Sequence, residues 1–210
     1  MLRAIKSYLA FANSRYRLVM LVLIPLLLVV VNVLGGPGEN GVVVESLMLL
    51  CVVDVLSDFF FMRGFYIKKN DTLEFMKASP RFRKTMKEVV IVDAVRRVVM
   101  YQIPVVVVLL CSIGDEESME WCTSLSAIPW MEAFTAQLAV LLIRHLYIWV
   151  YAYISIICVH AMQFLAMAYA AFAVRELGWW VDFVSIILWF ATMVATVWYT
   201  DKKMKESYYD

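Results

Sequence analysis

Apolar and polar positions along this chain fall into long blocks. Apolar runs occupy residues 18–34, 42–62, 88–113, 127–146, 148–174 and 179–199, with short polar breaks between them. A bilayer core of about 30 Å needs about 20 helical residues, so each run predicts a membrane span. The stretch 127–174 is almost continuously apolar, too long for one span and long enough for two. Arg144-His145 is its strongest polar break, so the chain is expected to turn just after it. The first run is short, and Pro25 predicts a kink in it. The pattern predicts an all-α integral membrane protein, one transmembrane domain over residues 1–210 with six transmembrane helices.

The polar segments add two smaller elements. Residues 1–17 set Leu2, Ile5, Leu9 and Phe11 among Arg3, Lys6, Arg15 and Arg17. This suits an interfacial helix with its apolar side in lipid and its basic side toward head groups. Residues 63–87 form the one substantial polar loop. In it, Asn70-Asp71 can cap a helix, and Glu74 three residues after Asp71 completes a capping-box pattern. Pro80 stops that helix, because the residue before a proline avoids the α region. The expected product is a short amphipathic helix near Thr72 to Ala78, with Leu73, Phe75 and Met76 on its apolar side. From Arg81 the helical pattern resumes and runs into the third span. Gly35-Gly36-Pro37-Gly38 reads as a turn after the first span.

Charge supplies the direction. Of the 19 Lys and Arg, 18 fall on the side of the N-terminus if the chain crosses six times, and only Arg175 falls opposite. Lys and Arg stay in the cytoplasm during insertion, so both termini and the 63–87 loop are expected inside the cell membrane. The opposite loop after the third span is acidic, with Asp115, Glu116, Glu117 and Glu120. A hydrophobic share of 63% and a mean hydropathy of +0.77 fit this picture. The net charge of +1 gives no support for nucleic-acid binding. Cys51 and Cys158 fall inside apolar runs and read as inert core thiols. Cys111 and Cys122 lie near the outer face, where a disulfide is an open alternative.

Ionisable residues within spans cost several kcal/mol, so they normally face protein, water or a partner charge. Asp54 and Asp58 are four apart and share a helix face. Asp93 shares a face with Arg96 and Arg97 on the next span. At about 1.5 Å per residue, Asp54 and Arg97 reach similar depth. An acid–base network of Asp54, Asp58, Arg96 and Arg97 is expected, with Asp93 nearer the surface. Structural glue between helices, a proton or ion relay, and arginines that snorkel to the interface are the competing accounts. Glu45 and Glu132 read as solvated rim charges. Gln102, Gln137 and Gln163 are candidates for helix–helix bonds. His145 is expected at the inner interface with Arg144, and His160 as a hydrogen-bonded core residue.

Motifs for catalysis are missing from the sequence. It holds no G-x-x-x-x-G-K-[ST] phosphate loop, no H-E-x-x-H and no G-x-S-x-G elbow. No Cys/His set has metal-ligand spacing. No catalytic, cofactor-binding or metal-binding residue is therefore nominated, and the chain is not expected to be an enzyme.

The order of elements resembles the membrane subunit of type-2 ABC exporters: an interfacial helix, two spans, an inner loop with a short helix, then four spans. The stretch Arg63-Gly64-Phe65-Tyr66-Ile67-Lys68-Lys69-Asn70-Asp71-Thr72-Leu73-Glu74-Phe75-Met76-Lys77-Ala78-Ser79-Pro80-Arg81 is similar in character to such permeases, as is Ile91-Val92-Asp93-Ala94-Val95-Arg96-Arg97 to small bacterial members. The family's reentrant helices before the sixth span are not identifiable here. The resemblance implies a coupling helix in which Leu73, Phe75 and Met76 dock on a separate ATPase subunit, with Glu74, Lys77 and Arg81 at the rim. It implies ATP and Mg²⁺ bound by that partner, a second permease subunit, and export of a peptide, lipid or other hydrophobic cargo. The alternatives are the capture module of a vitamin-type importer, and a membrane enzyme or assembly factor.

Overall fold

The computed structural model describes residues 2–12, 14–36, 40–61, 80–114, 126–146, nine positions between 150 and 161, and 178–205. Every regular element among them is helical. The coupling-type helix with Leu73, Glu74, Phe75, Met76 and Lys77 lies outside the described residues. So do Cys122, Gln163, Arg175 and most of the expected fifth span.

The N-terminal seventeen residues form two elements instead of one. Helix α1 covers Leu2–Phe11. After Ala12 the chain starts again at Ser14 and continues to Gly35 as α2, the first span. Of the residues expected to face lipid from α1, Ile5 is exposed and Leu9 half-buried, while Tyr8 and Ala12 are buried and α1 packs on the fourth helix.

Within α2, Val19–Leu23 is a π turn, and Ile24 N–H bonds back to Val19 O. Pro25 follows it. Proline brings no N–H and its ring crowds the carbonyl four residues earlier. A turn widened to five-residue spacing relieves that crowding. The helix ends at Gly36, whose φ of +75° is a left-handed conformation suited to glycine.

Helix α3 runs over Asn40–Phe61 and α4 over Pro80–Cys111. Pro80 occupies the first turn of α4, where no N–H is needed. On α3, the buried set Val43, Leu47, Leu50, Cys51, Asp54, Val55, Asp58 and Phe61 makes one helical stripe, with Leu49, Val52 and Leu56 exposed. Gly35 lets α2 and α3 approach: a Cβ there would stand 3.2 Å from Val42. Asn32 strengthens the same junction by donating to Ser46 Oγ at 3.3 Å.

Helix α5, Ala127–Arg144, is the centre of the bundle. Its buried Ala133, Ala136 and Ala139 permit close packing of its neighbours. Helix α6, Gly178–Lys205, packs along it more extensively than any other pair. Both α3 and α4 also contact α5.

Four helices are long and apolar enough to cross a membrane: Ser14–Gly35, Arg81–Cys111, Ala127–Arg144 and Trp180–Lys205. The chain is thus a helical membrane protein with four candidate spans among the described residues. Helix α3 carries Glu45, Asp54 and Asp58 and is not among the four. α2 and α6 turn most of their apolar side chains outward, among them Leu26, Leu34, Phe183, Phe190 and Trp198. So large an exposed apolar surface suits lipid and not water.

Candidate functional site: a charge cluster inside the helix bundle

Three acids and three arginines meet where α3, α4 and α5 pack together. Asp54 and Asp58 come from α3, Asp93, Arg96 and Arg97 from α4, and Arg144 from the last turn of α5. All six are buried. The formal charges cancel, which is what a low-dielectric interior demands of ionised groups.

Arg97 is the hub. Its Nε donates to Asp54 Oδ2 at 2.9 Å and its Nη2 to Asp58 Oδ1 at 2.9 Å. Its Nη1 donates to Gln137 Oε1 at 3.0 Å and stands 2.7 Å from Asp93 Oδ2. One guanidinium fork therefore binds three helices, using the geometry that separates arginine from lysine. Arg96 pairs with the other oxygen of Asp54 and donates from Nε to Asp93 Oδ1 at 3.3 Å. Arg144 grips Asp58 with two nitrogens, Nε at 3.3 Å from Oδ2 and Nη2 close to Oδ1.

The cluster reaches further through neutral groups. Gln137 Nε2 donates to Thr196 Oγ1 at 2.9 Å, which brings in α6. Tyr8 of α1 donates to Asp93 Oδ1 at 3.4 Å, and its hydroxyl lies 3.3 Å from that of Tyr16 at the start of α2. Burial, reinforced by the Asp93 charge, holds the Tyr8 phenol well above its usual range, so it stays a neutral donor. Six helices are tied to one polar centre.

Several expectations change. Asp93 is fully buried within the cluster and is not nearer the surface, because α1 covers it. Arg144 is fully buried and supplies the third positive charge. Arg96 and Arg97 do not snorkel outward, since both guanidiniums are spent on acids. Glu132 is no rim charge. It is 0% exposed and meets His160 Nε2 at 3.3 Å. Glu45 is exposed, Gln102 is half-buried, and Arg81 is exposed in the first turn of α4. Cys158 is exposed and not a core thiol, whereas Cys51 is fully buried. Cys111 carries a free thiol.

His145 follows α5 and faces α6. Thr200 Oγ1 spends its proton on Thr196 O at 2.7 Å and so accepts from His145 Nε2 at 3.2 Å. Burial, with Arg144 and Lys203 adding repulsion, lowers the imidazole pKa to about 2. The ring is neutral under ordinary conditions.

The missed members were findable in part. Two arginines against three aspartates leave one negative charge over, and Arg144 is the one other cation inside an apolar block. Nothing in the sequence marks Tyr8 or Tyr16, because their role depends on how α1 folds back. Chemically, arginine does not release its proton in proteins, so half of the charged groups here cannot carry protons. The arrangement is suited to fixing helices in register.

No family model, no curated protein and no solved structure matches this chain.

Proposed function

We propose that the chain is the membrane subunit of an ATP-driven exporter, working with a separate ATPase subunit and a second permease copy or relative. The observation that carries this reading is the form of α4. It is one unbroken helix of 32 residues. At 1.5 Å per residue it is about 48 Å long, against a hydrocarbon core of about 30 Å. Its surplus lies before Asp93 and begins directly after the 63–79 segment. α1 packs against α4, and Lys87 pairs with Asp201 of α6. A rod of this kind transmits force from a docked motor to the charge cluster. The segment with Leu73, Phe75 and Met76 is the docking element, with Glu74, Lys77 and Arg81 around it.

In this reading the protein sits in the cell membrane with six spans and both termini inside. ATP and Mg²⁺ belong to the partner. The cargo is a peptide, lipid or other hydrophobic molecule, which the exposed apolar faces of α2 and α6 would receive from the bilayer.

Gentle purification from the native host tests the proposal. A stoichiometric ATPase should co-purify, and changing Leu73, Phe75 and Met76 to Ser should release it while the permease stays folded. Absence of any ATPase, or its retention by the triple variant, would overturn the reading.

A further inference from the structure

Of the four fully buried carboxylates among the described residues, three belong to the balanced cluster. Glu132 is the fourth. Among the described residues it has no arginine or lysine partner, and its one ion-pair neighbour is His160. Its Oε2 lies 3.3 Å from His160 Nε2, and the Cys51 thiol is its other polar neighbour. A buried carboxyl left this way inside a span either keeps its proton or is matched by a cation.

Cys51 completes the setting. Its Sγ, a Glu132 oxygen and a His160 ring nitrogen all lie within 4.8 Å of one another. Cys51 is on α3, Glu132 on α5 and His160 in the helical residues after 150, so three separate helices converge. The side chain of His160 is 16% exposed and that of Glu132 is not exposed at all. The Tyr101 hydroxyl beside them is buried and interacts with Cys51. Cys51 lies three residues before Asp54 along α3, about 4.5 Å, so this group borders the charge cluster.

We propose that Cys51, Glu132 and His160 form a binding site for a divalent ion of the zinc class. The donor set selects the ion. A thiolate with an imidazole disfavours Ca²⁺ and Mg²⁺, which take oxygen ligands, and suits Zn²⁺. Zinc bonds of about 2.0–2.3 Å place tetrahedral ligand atoms about 3.3–3.8 Å apart, so rotamer shifts of about an ångström close the site. The thiol loses its proton to solvent on binding. Thiolate and carboxylate then carry two negative charges against the ion's two positive ones, so the unbalanced buried acid becomes part of a neutral centre. Three protein ligands leave a fourth position open, as in zinc sites that exchange a ligand. Sequence spacing hides this site, because its members come from 51, 132 and 160. The inference is independent of the exporter reading.

Full-length protein in detergent, freed of metal with a chelator, should be titrated with Co²⁺ as the spectroscopic probe. One equivalent should produce thiolate-to-cobalt charge-transfer absorption with the visible bands of a four-coordinate ion, and Zn²⁺ should abolish both. Cys51→Ser should remove the charge-transfer band, and Glu132→Gln and His160→Gln should each weaken binding at least tenfold. A second readout needs no variant. Zn²⁺ should slow alkylation of Cys51 by a membrane-permeant maleimide at least tenfold and leave Cys111 and Cys158, both exposed, unaffected. Failure of the wild-type protein to bind Co²⁺, equal binding by all three variants, or Cys51 alkylation indifferent to Zn²⁺ would each overturn the proposal and leave Glu132 and His160 as a simple pair.

Discussion

Arg144 holds Asp58 across 86 residues of sequence, through Nε at 3.3 Å and a second, closer nitrogen. The contact joins the end of α5 to the end of α3. Removing one side strands a charge in the interior. Asp58→Asn should therefore lower stability by about 3–5 kcal/mol, measured as the denaturant midpoint in mixed micelles. Asp58→Leu with Arg144→Met, which removes both charges, should recover much of that loss. A double variant as unstable as the sum of the singles would show that the pair is not coupled.

Gln137 stands between Arg97 and Thr196 and so connects α4, α5 and α6. A hydrogen bond to a charged group contributes about 1.5–3 kcal/mol. Gln137→Leu should cost about that much in the same titration. Thr196→Val, which removes only neutral bonds, those with Gln137 and with Thr192 O, should cost less.

His145 gives the structure a pH dependence with a definite sign. Its folded pKa is lowered to about 2 by burial, with Arg144 and Lys203 facing it, Thr200 bonded to it and the Tyr199 ring 6.2 Å away. Unfolded, it titrates near pH 6.5. The unfolded chain thus binds the extra proton. The stability contribution is complete above about pH 6.5 and is lost as pH falls toward 2. Unfolding midpoints measured from pH 7.5 down to 4.5 should decline, and His145→Gln should flatten that slope.

Orientation has its own check. A thiol introduced at Asn70 should resist a membrane-impermeant reagent applied to intact cells, and one at Ser118 should react. The reverse pattern would invert the bundle and remove the docking proposal.

Much of the helical pattern was open to reading, because apolar periodicity over twenty residues leaves little choice. The run 88–113 with its helical lead-in from Arg81 corresponds to α4, and 127–146 corresponds to α5. In two segments the local pattern left the packing open. Residues 1–17 have an amphipathic pattern that suits lipid and protein equally, and only the fold shows Tyr8 on Asp93. Glu132 and Arg144 lie toward the two ends of one apolar run, where solvated and buried positions have the same local sequence. What decided between them was which helices pack around α5, a long-range fact that no window of sequence contains.

The π turn at Val19–Leu23 is one residue of surplus wound into α2. Deleting a single residue there, together with Pro25→Ala, would leave an ordinary helix. Tyr16 below the turn and Asn32 above it would still point the way they do now. Either change alone would break that correspondence: shortening alone forces proline into a tight helix, and replacing proline alone leaves the extra residue to rotate one half of the span against the other by about 100°. The first span therefore carries a built-in tolerance for losing one amino acid, provided the proline goes with it.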